Sequence, residues 1–161
     1  MKTAIDYLLR AHEVAQAAMQ AGHNPFGALL ADDETGEILL EQGNAEHDTH
    51  DATAHAEQVL ASRASRTIDR ARLCHCTLYT TCEPCPMCTG GIYWANIGRI
   101  VYGVSEQRLL ELTGSDEKNP TFSMGAARVI ASGQKEIGLE GPFPELEEEI
   151  SALHKGFWNN K

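Results

Sequence analysis

A chain of 161 residues, 42% hydrophobic and 22% charged, can bury one sizeable core and has no room for a second domain of ordinary size, so residues 1–161 read as a single domain. Thirteen basic side chains against twenty-three acidic ones give a net charge of −10, a balance that repels a phosphate backbone and argues against nucleic acid as a partner. No run approaches the roughly 18 apolar residues of a membrane span, and the opening MKTAIDYLLR carries charges where a secretion signal is apolar, which points to the cytoplasm.

Helical spacing of Leu8, Leu9, His12, Val14, Ala15, Ala18 and Met19 predicts an opening helix over about 3–20, stopped by Gly22. Phe26-Gly-Ala-Leu-Leu and Glu37-Ile-Leu-Leu-Glu flank the turn-rich Asp32–Gly36 and predict a hairpin. Asp51 and Thr53 are candidate caps for a helix carrying Ala54, Val59, Leu60 and Ala61 to about Ser65, and a strand follows over 73–80. Pro84 and Pro86 suit the entry to a third helix ending near Ala95, since a first-turn proline loses no needed N–H. Arg99-Ile-Val-Tyr-Gly reads as a strand, 106–112 as a helix, 115–123 as loop, 124–131 as a helix and 144–157 as an acidic closing helix. This alternation predicts an α/β fold, a three-layer α/β/α sandwich with a mixed central sheet.

All five cysteines, Cys74, Cys76, Cys82, Cys85 and Cys88, fall within fifteen residues, a pattern of thiols or metal ligands and not of a disulfide scaffold. Cys85-Pro-Met-Cys88 sets two thiols three apart on the first turn of a helix, where the dipole favours thiolates. His55-Ala-Glu57 sits thirty positions earlier at the start of another helix, and side chains tilt toward helix N-termini, so both pairs can face one point. One imidazole and two thiolates, His55, Cys85 and Cys88, leave a fourth coordination position open, as in catalytic zinc sites, with Glu57 as a base beside the metal.

Two blander readings compete. Cys82, Cys85 and Cys88 match the first three ligands of an iron–sulfur cluster, with Cys74 or Cys76 as the fourth, or an extra thiol closes a structural zinc site in a non-catalytic metal-binding module. The cluster leaves His55 and Glu57 without a role, and Ile92 stands where the ferredoxin spacing wants a cysteine. Cys82 otherwise reads as a buried thiol, and Cys74 and Cys76 as inward-facing strand residues. Glu57 by itself is an ordinary first-turn acid.

The order and spacing His55-x-Glu57 … Pro84-Cys85-x-x-Cys88 resembles the zinc-dependent nucleobase deaminases of the cytidine deaminase superfamily. Flanking residues, Asn24-Pro-Phe-Gly-Ala28, Thr53-Ala-His-Ala-Glu57, Tyr79–Cys88 and Ile92-Tyr-Trp-Ala95, look most like those of bacterial guanine deaminases. Ala52 departs from the pattern, standing where those relatives commonly carry proline, and the likeness loosens after Gly103. The resemblance implies one zinc ion per chain and hydrolytic release of ammonia with Glu57 shuttling the proton. It implies a small purine substrate, guanine ahead of guanosine, with the tRNA adenosine and cytosine deaminases as the alternative. It further implies Phe26, Asn44 and Trp94 as substrate contacts beside the backbone N–H of Ala56, Asp116 as a second catalytic carboxylate with Glu111 and Glu117 as competitors, and a homodimer. The closing aromatics Phe157 and Trp158 need either a partner surface or a fold-back onto the core.

Overall fold

The computed structural model describes residues 1–158. In chain order the elements are α1 (Ala4–Gln20), β1 (Gly27–Asp32), β2 (Ile38–Gly43), α2 (Glu46–Thr49), α3 (Ala56–Thr67), α4 (Arg70–Leu73), β3 (Cys76–Cys82), α5 (Pro86–Ala95), β4 (Arg99–Val104), α6 (Glu106–Thr113), α7 (Ala126–Ala131), β5 (Gly138–Glu140) and α8 (Pro144–Ala152). The five strands form one sheet in the order β2-β1-β3-β4-β5. β1 runs antiparallel to both β2 and β3, while β3, β4 and β5 are parallel, so the sheet is mixed.

Strands β1 and β3 are buried along their whole length, as expected where both faces are covered. The two-residue period sorts their side chains. Ala28, Leu30, Leu78 and Ile100 join Leu60, Ala64 and Ile92 of α3 and α5 in one core. Leu29, Ala31, Tyr79 and Val101 join Tyr7, Leu8 and Ala11 of α1 and Ile150 of α8 in the other. The result is the three-layer α/β/α arrangement with a mixed sheet that the element order predicts. Helix α1 lies so close across β1 that a Cβ on Gly27 would collide with the backbone of Ala11 and Ala15. Its start is fixed by a capping box, in which Thr3 N–H donates to Asp6 at 2.7 Å and Asp6 N–H returns to Thr3 Oγ1 at 3.2 Å.

Several local expectations shift. Asp51 and Thr53 do not cap α3: both Thr53 N–H and Thr53 Oγ1 donate to Asp51 Oδ1, closing a turn of their own, and His55 takes the cap position. Strand β3 starts at Cys76 because the short α4 occupies 70–73, which leaves Cys74 exposed at a helix end, while Cys76 is buried in the strand as expected. The closing helix ends at Ala152, not Phe157, and Gly156 at φ +74° turns the chain back. His154 and Trp158 are thereby buried, so the aromatics take the fold-back. No helix among the described residues is long and apolar enough to cross a membrane.

Candidate active site

Helices α3 and α5 pack side by side with their N-termini at the C-terminal end of β3. His55 is the N-cap of α3 and Cys85 that of α5, both in extended backbone, and each carbonyl accepts the first bond of its helix, from Val59 N–H and Thr89 N–H. Pro86 opens α5, and Cys88 follows one turn in. Their side chains converge: His55 Nδ1 lies 3.7 Å from Cys85 Sγ and 3.6 Å from Cys88 Sγ, with all three donor atoms within 4.8 Å of one another. Tetrahedral zinc, with Zn–N near 2.1 Å and Zn–S near 2.3 Å, wants its nitrogen and sulfur ligands about 3.6 Å apart, so the donor set fits that metal.

The electrostatics suit a cation. Cys85 is drawn down to about 4, chiefly by the hydrogen bond from Cys88 and further by His55, against the opposing effect of burial. Cys88 is pushed well up by the Cys85 thiolate beside it and by burial. His55 rises to about 9 because its ring donates to Cys85. Glu57 is buried two residues beyond His55, where burial raises its pKa, and its Oε1 accepts a 2.6 Å hydrogen bond from Thr80 Oγ1.

These groups open into a cavity of about 390 Å³, walled by Phe26, Asn44, Glu46, His55, Glu57, Cys82, Cys85 and Met87 and completed by Glu106, Leu109 and residues 117–122. Phe26 is held from behind by the returning chain, its ring 5.1 Å from His154 and 6.0 Å from Trp158. Trp158 Nε1–H donates to His154 Nδ1 at 3.1 Å, so the neutral ring carries its hydrogen on Nε2, 3.7 Å from Cys82 Sγ. Cys82 thus faces His154 and stands outside the His55, Cys85 and Cys88 group, and Cys74 is exposed, an arrangement unlike an iron–sulfur cluster.

The sequence-derived contacts divide. Phe26 and Asn44 line the cavity, but Asn44 spends one amide hydrogen on Glu46 Oε2 and receives Glu46 N–H at 3.2 Å, so part of its bonding capacity goes to positioning that acid. Ala56 is fully buried as the first residue of α3. Trp94 is 77% exposed on the outer side of α5 and lines no part of this cavity, contrary to its expected role as a substrate contact. Asp116 lies in the neighbouring cleft, capping the turn by accepting Lys118 N–H at 2.8 Å, whereas Glu117 reaches both spaces and Glu111 is exposed beside Arg108. Glu106 and Glu83 were not singled out from sequence. Their only linear signal is the acid at a helix start and the acid beside Pro84, both common features.

A mixed sheet in an α/β/α sandwich, where the start of one helix brings an imidazole and a buried carboxyl and the start of its neighbour two thiols to one cavity, is the architecture of a metal-dependent hydrolase. Residues 1–104 match the family model for the cytidine and deoxycytidylate deaminase zinc-binding region. A probable cytosine deaminase of Schizosaccharomyces pombe is 35% identical over 153 residues, covering 95% of this chain and 91% of that protein. Guanine deaminase of Bacillus subtilis is 41% identical over 97 residues, 60% of this chain and 61% of its own length, and a solved structure of a guanine deaminase from that organism superposes with a TM-score of 0.63 at 28% identity, covering 99% of this chain and 98% of that one. A tRNA-specific adenosine deaminase of Haemophilus influenzae is 40% identical over 96 residues, 60% of this chain and 55% of that protein. The chain belongs to the cytidine and deoxycytidylate deaminase family, zinc-dependent hydrolases that deaminate nucleobases and nucleosides.

Proposed function

We propose that this chain is a single catalytic domain that hydrolytically deaminates a small amino-oxo heterocycle, guanine or a close relative such as guanosine, with His55, Cys85 and Cys88 holding one zinc ion. The observation that carries the reading is the convergence of those three donors beside buried Glu57 in one cavity. Zinc bound there supplies Lewis acidity at an open coordination position and makes water a nucleophile at neutral pH. Glu57, oriented by Thr80, accepts a proton from the attacking water and passes it to a ring nitrogen, which renders the amino-bearing carbon electrophilic. The water oxygen bonds to that carbon, the same carboxylate takes the remaining proton of the added hydroxyl and hands it to the exocyclic amine, the carbonyl forms as the C–N bond breaks, and ammonia leaves. The ring of Phe26 offers a face on which a flat base stacks.

Charge supports a base with many N–H donors. The cavity wall carries Glu46, Glu83 and Glu117 against Lys118 and His55, with the buried carboxyls of Glu57 and Glu106 beside them, a set rich in hydrogen-bond acceptors and poor in cations for a phosphate. Guanine offers more such donors than cytosine. Cytosine remains the second reading because the probable cytosine deaminase of Schizosaccharomyces pombe matches nearly the whole chain, including the residues after 104 that complete the cavity. Exposed Trp94 supports a homodimer.

The test is ammonia release from guanine, guanosine, cytosine, cytidine, adenine, adenosine and a tRNA anticodon stem-loop, with metal content measured in parallel. Glu57→Ala retains zinc and loses about 10² to 10⁴ in turnover, whereas Cys85→Ala loses zinc. Stoichiometric zinc in Cys85→Ala refutes the ligand set. Turnover of the stem-loop with every free base and nucleoside inert refutes the small substrate.

A further inference from the structure

Glu106 is the first residue of α6, and its main chain is held in place. Its N–H donates to Glu83 Oε1 at 3.0 Å, and Glu83 Oε2 accepts the N–H of Ala126 at 2.7 Å, so one carboxylate ties the starts of α6 and α7 to the loop that delivers Cys85. The Glu106 side chain belongs to the wall of the same cavity as Glu57, is only 4% exposed, and has a buried oxygen, Oε2, with no hydrogen-bond partner among the described residues. A buried polar atom left unpaired costs about 1–3 kcal/mol, and such atoms in a native fold call for an explanation. In the wall of a binding cavity, the explanation is a partner that arrives with the ligand.

We infer that Glu106 is a specificity-determining residue that hydrogen-bonds the lactam edge, the ring –NH–C(=O)– unit, of the heterocycle deaminated beside Glu57. This deepens the deaminase reading above and rests on it. A neutral carboxylic acid presents one donor and one acceptor side by side, the complement of a lactam, which offers one acceptor and one donor. Burial, with the acids Glu83 and Glu57 nearby, raises the Glu106 carboxyl and favours its neutral form against the pull of the helix start toward the charged one. Guanine and cytosine both carry a lactam apart from the amino group that leaves, so the assignment holds for either base. Their deoxo counterparts, 2-aminopurine and 4-aminopyrimidine, retain the amino group and lack the ring carbonyl.

The experiment compares wild type, Glu106→Gln and Glu106→Leu, all zinc-loaded, with guanine against 2-aminopurine and cytosine against 4-aminopyrimidine, reading kcat/KM and thermal stability. Wild type prefers the oxo base. Glu106→Leu loses about ten- to a hundredfold on the oxo base and little on its deoxo counterpart, the size of one hydrogen bond to a buried group. Glu106→Gln, which keeps a donor and an acceptor, retains most of the preference. Because Glu106→Leu removes an unpaired polar atom, it melts no lower than wild type; a purely structural role predicts a lower melting temperature and an unchanged oxo-to-deoxo ratio. An unchanged ratio in a well-folded Glu106→Leu, or a marked loss of stability in it, overturns the assignment while wild-type turnover keeps the deaminase reading intact. If wild type releases ammonia from none of the four bases, the assignment falls together with the free-base form of that reading.

Discussion

The returning C-terminal segment makes acid stability a direct probe of the fold. His154 is 1% exposed and neutral, and burial, assisted by His12, pulls its pKa from 6.5 to about 4. The folded pKa lies below the unfolded one, so between these values the unfolded chain binds the extra proton. The stability that follows is present above about pH 6.5 and is lost as the pH falls toward 4. For a group moving from 6.5 to about 4, the loss is about 2 kcal/mol between pH 7 and pH 5 and about 3 kcal/mol in the limit. In a chain of this size the first figure corresponds to about 4 to 8 °C in Tm. The assay is urea unfolding of wild type and His154→Gln at a series of pH values. Glutamine does not titrate and still offers an oxygen to Trp158 Nε1–H. Proton competition at the His55, Cys85 and Cys88 group, together with His12, affects both proteins alike, so the difference between the two curves isolates His154. That difference should shrink by about 2 kcal/mol in wild type's disfavour from pH 7 to pH 5. Curves that stay parallel over this range refute the argument that His154 is buried and uncharged.

Other substitutions probe separate features. Gly27→Val places side-chain atoms against the backbone of Ala11 and Ala15, so it should lower stability by at least the 1–3 kcal/mol typical of overpacking, read as a reduced midpoint in urea. Trp94→Ala removes an exposed ring and should change the stability of the fold by less than about 0.5 kcal/mol. In light scattering, wild type should give about twice 17.6 kDa if the proposed pairing holds and Trp94→Ala a mass nearer 17.6 kDa; a mass of 17.6 kDa for both proteins refutes the pairing.

The metal-type cluster was legible because its residues lie at helix starts, where local rules govern direction as well as position. His55 and Cys85 precede their helices, Cys88 sits one turn in, and β3 needs only to deliver α5 next to α3. Trp94 was misread for want of a phase argument. Six residues beyond Cys88 turn a helix by about 240°, so Trp94 points to the far side while Ile92 packs into the core. Glu106 gave no linear clue, since an acid at a helix start is ordinary. Its setting depends on Glu83, which reaches it only because β3 and β4 are parallel neighbours. Strand β5 has three residues, too few for a period to register, and the reversal at Gly156 depends on the space that Cys82 and Phe26 leave for His154.

The cavity divides sharply along the chain. His55, Glu57 and Cys85, with Phe26 and Asn44, come from residues before 104, whereas Glu106, Leu109 and residues 117–122 close the other side. The metal-type ligands and Glu57 are thus encoded before residue 104, whereas the proposed base-selecting Glu106 lies after it. Under that proposal, change in the later stretch alters base preference while leaving His55, Glu57, Cys85 and Cys88 in place. A chimera that grafts the segment after residue 104 from a relative onto the first part of this chain should carry the donor's preference with it, a short route by which a single ancestral deaminase diversifies.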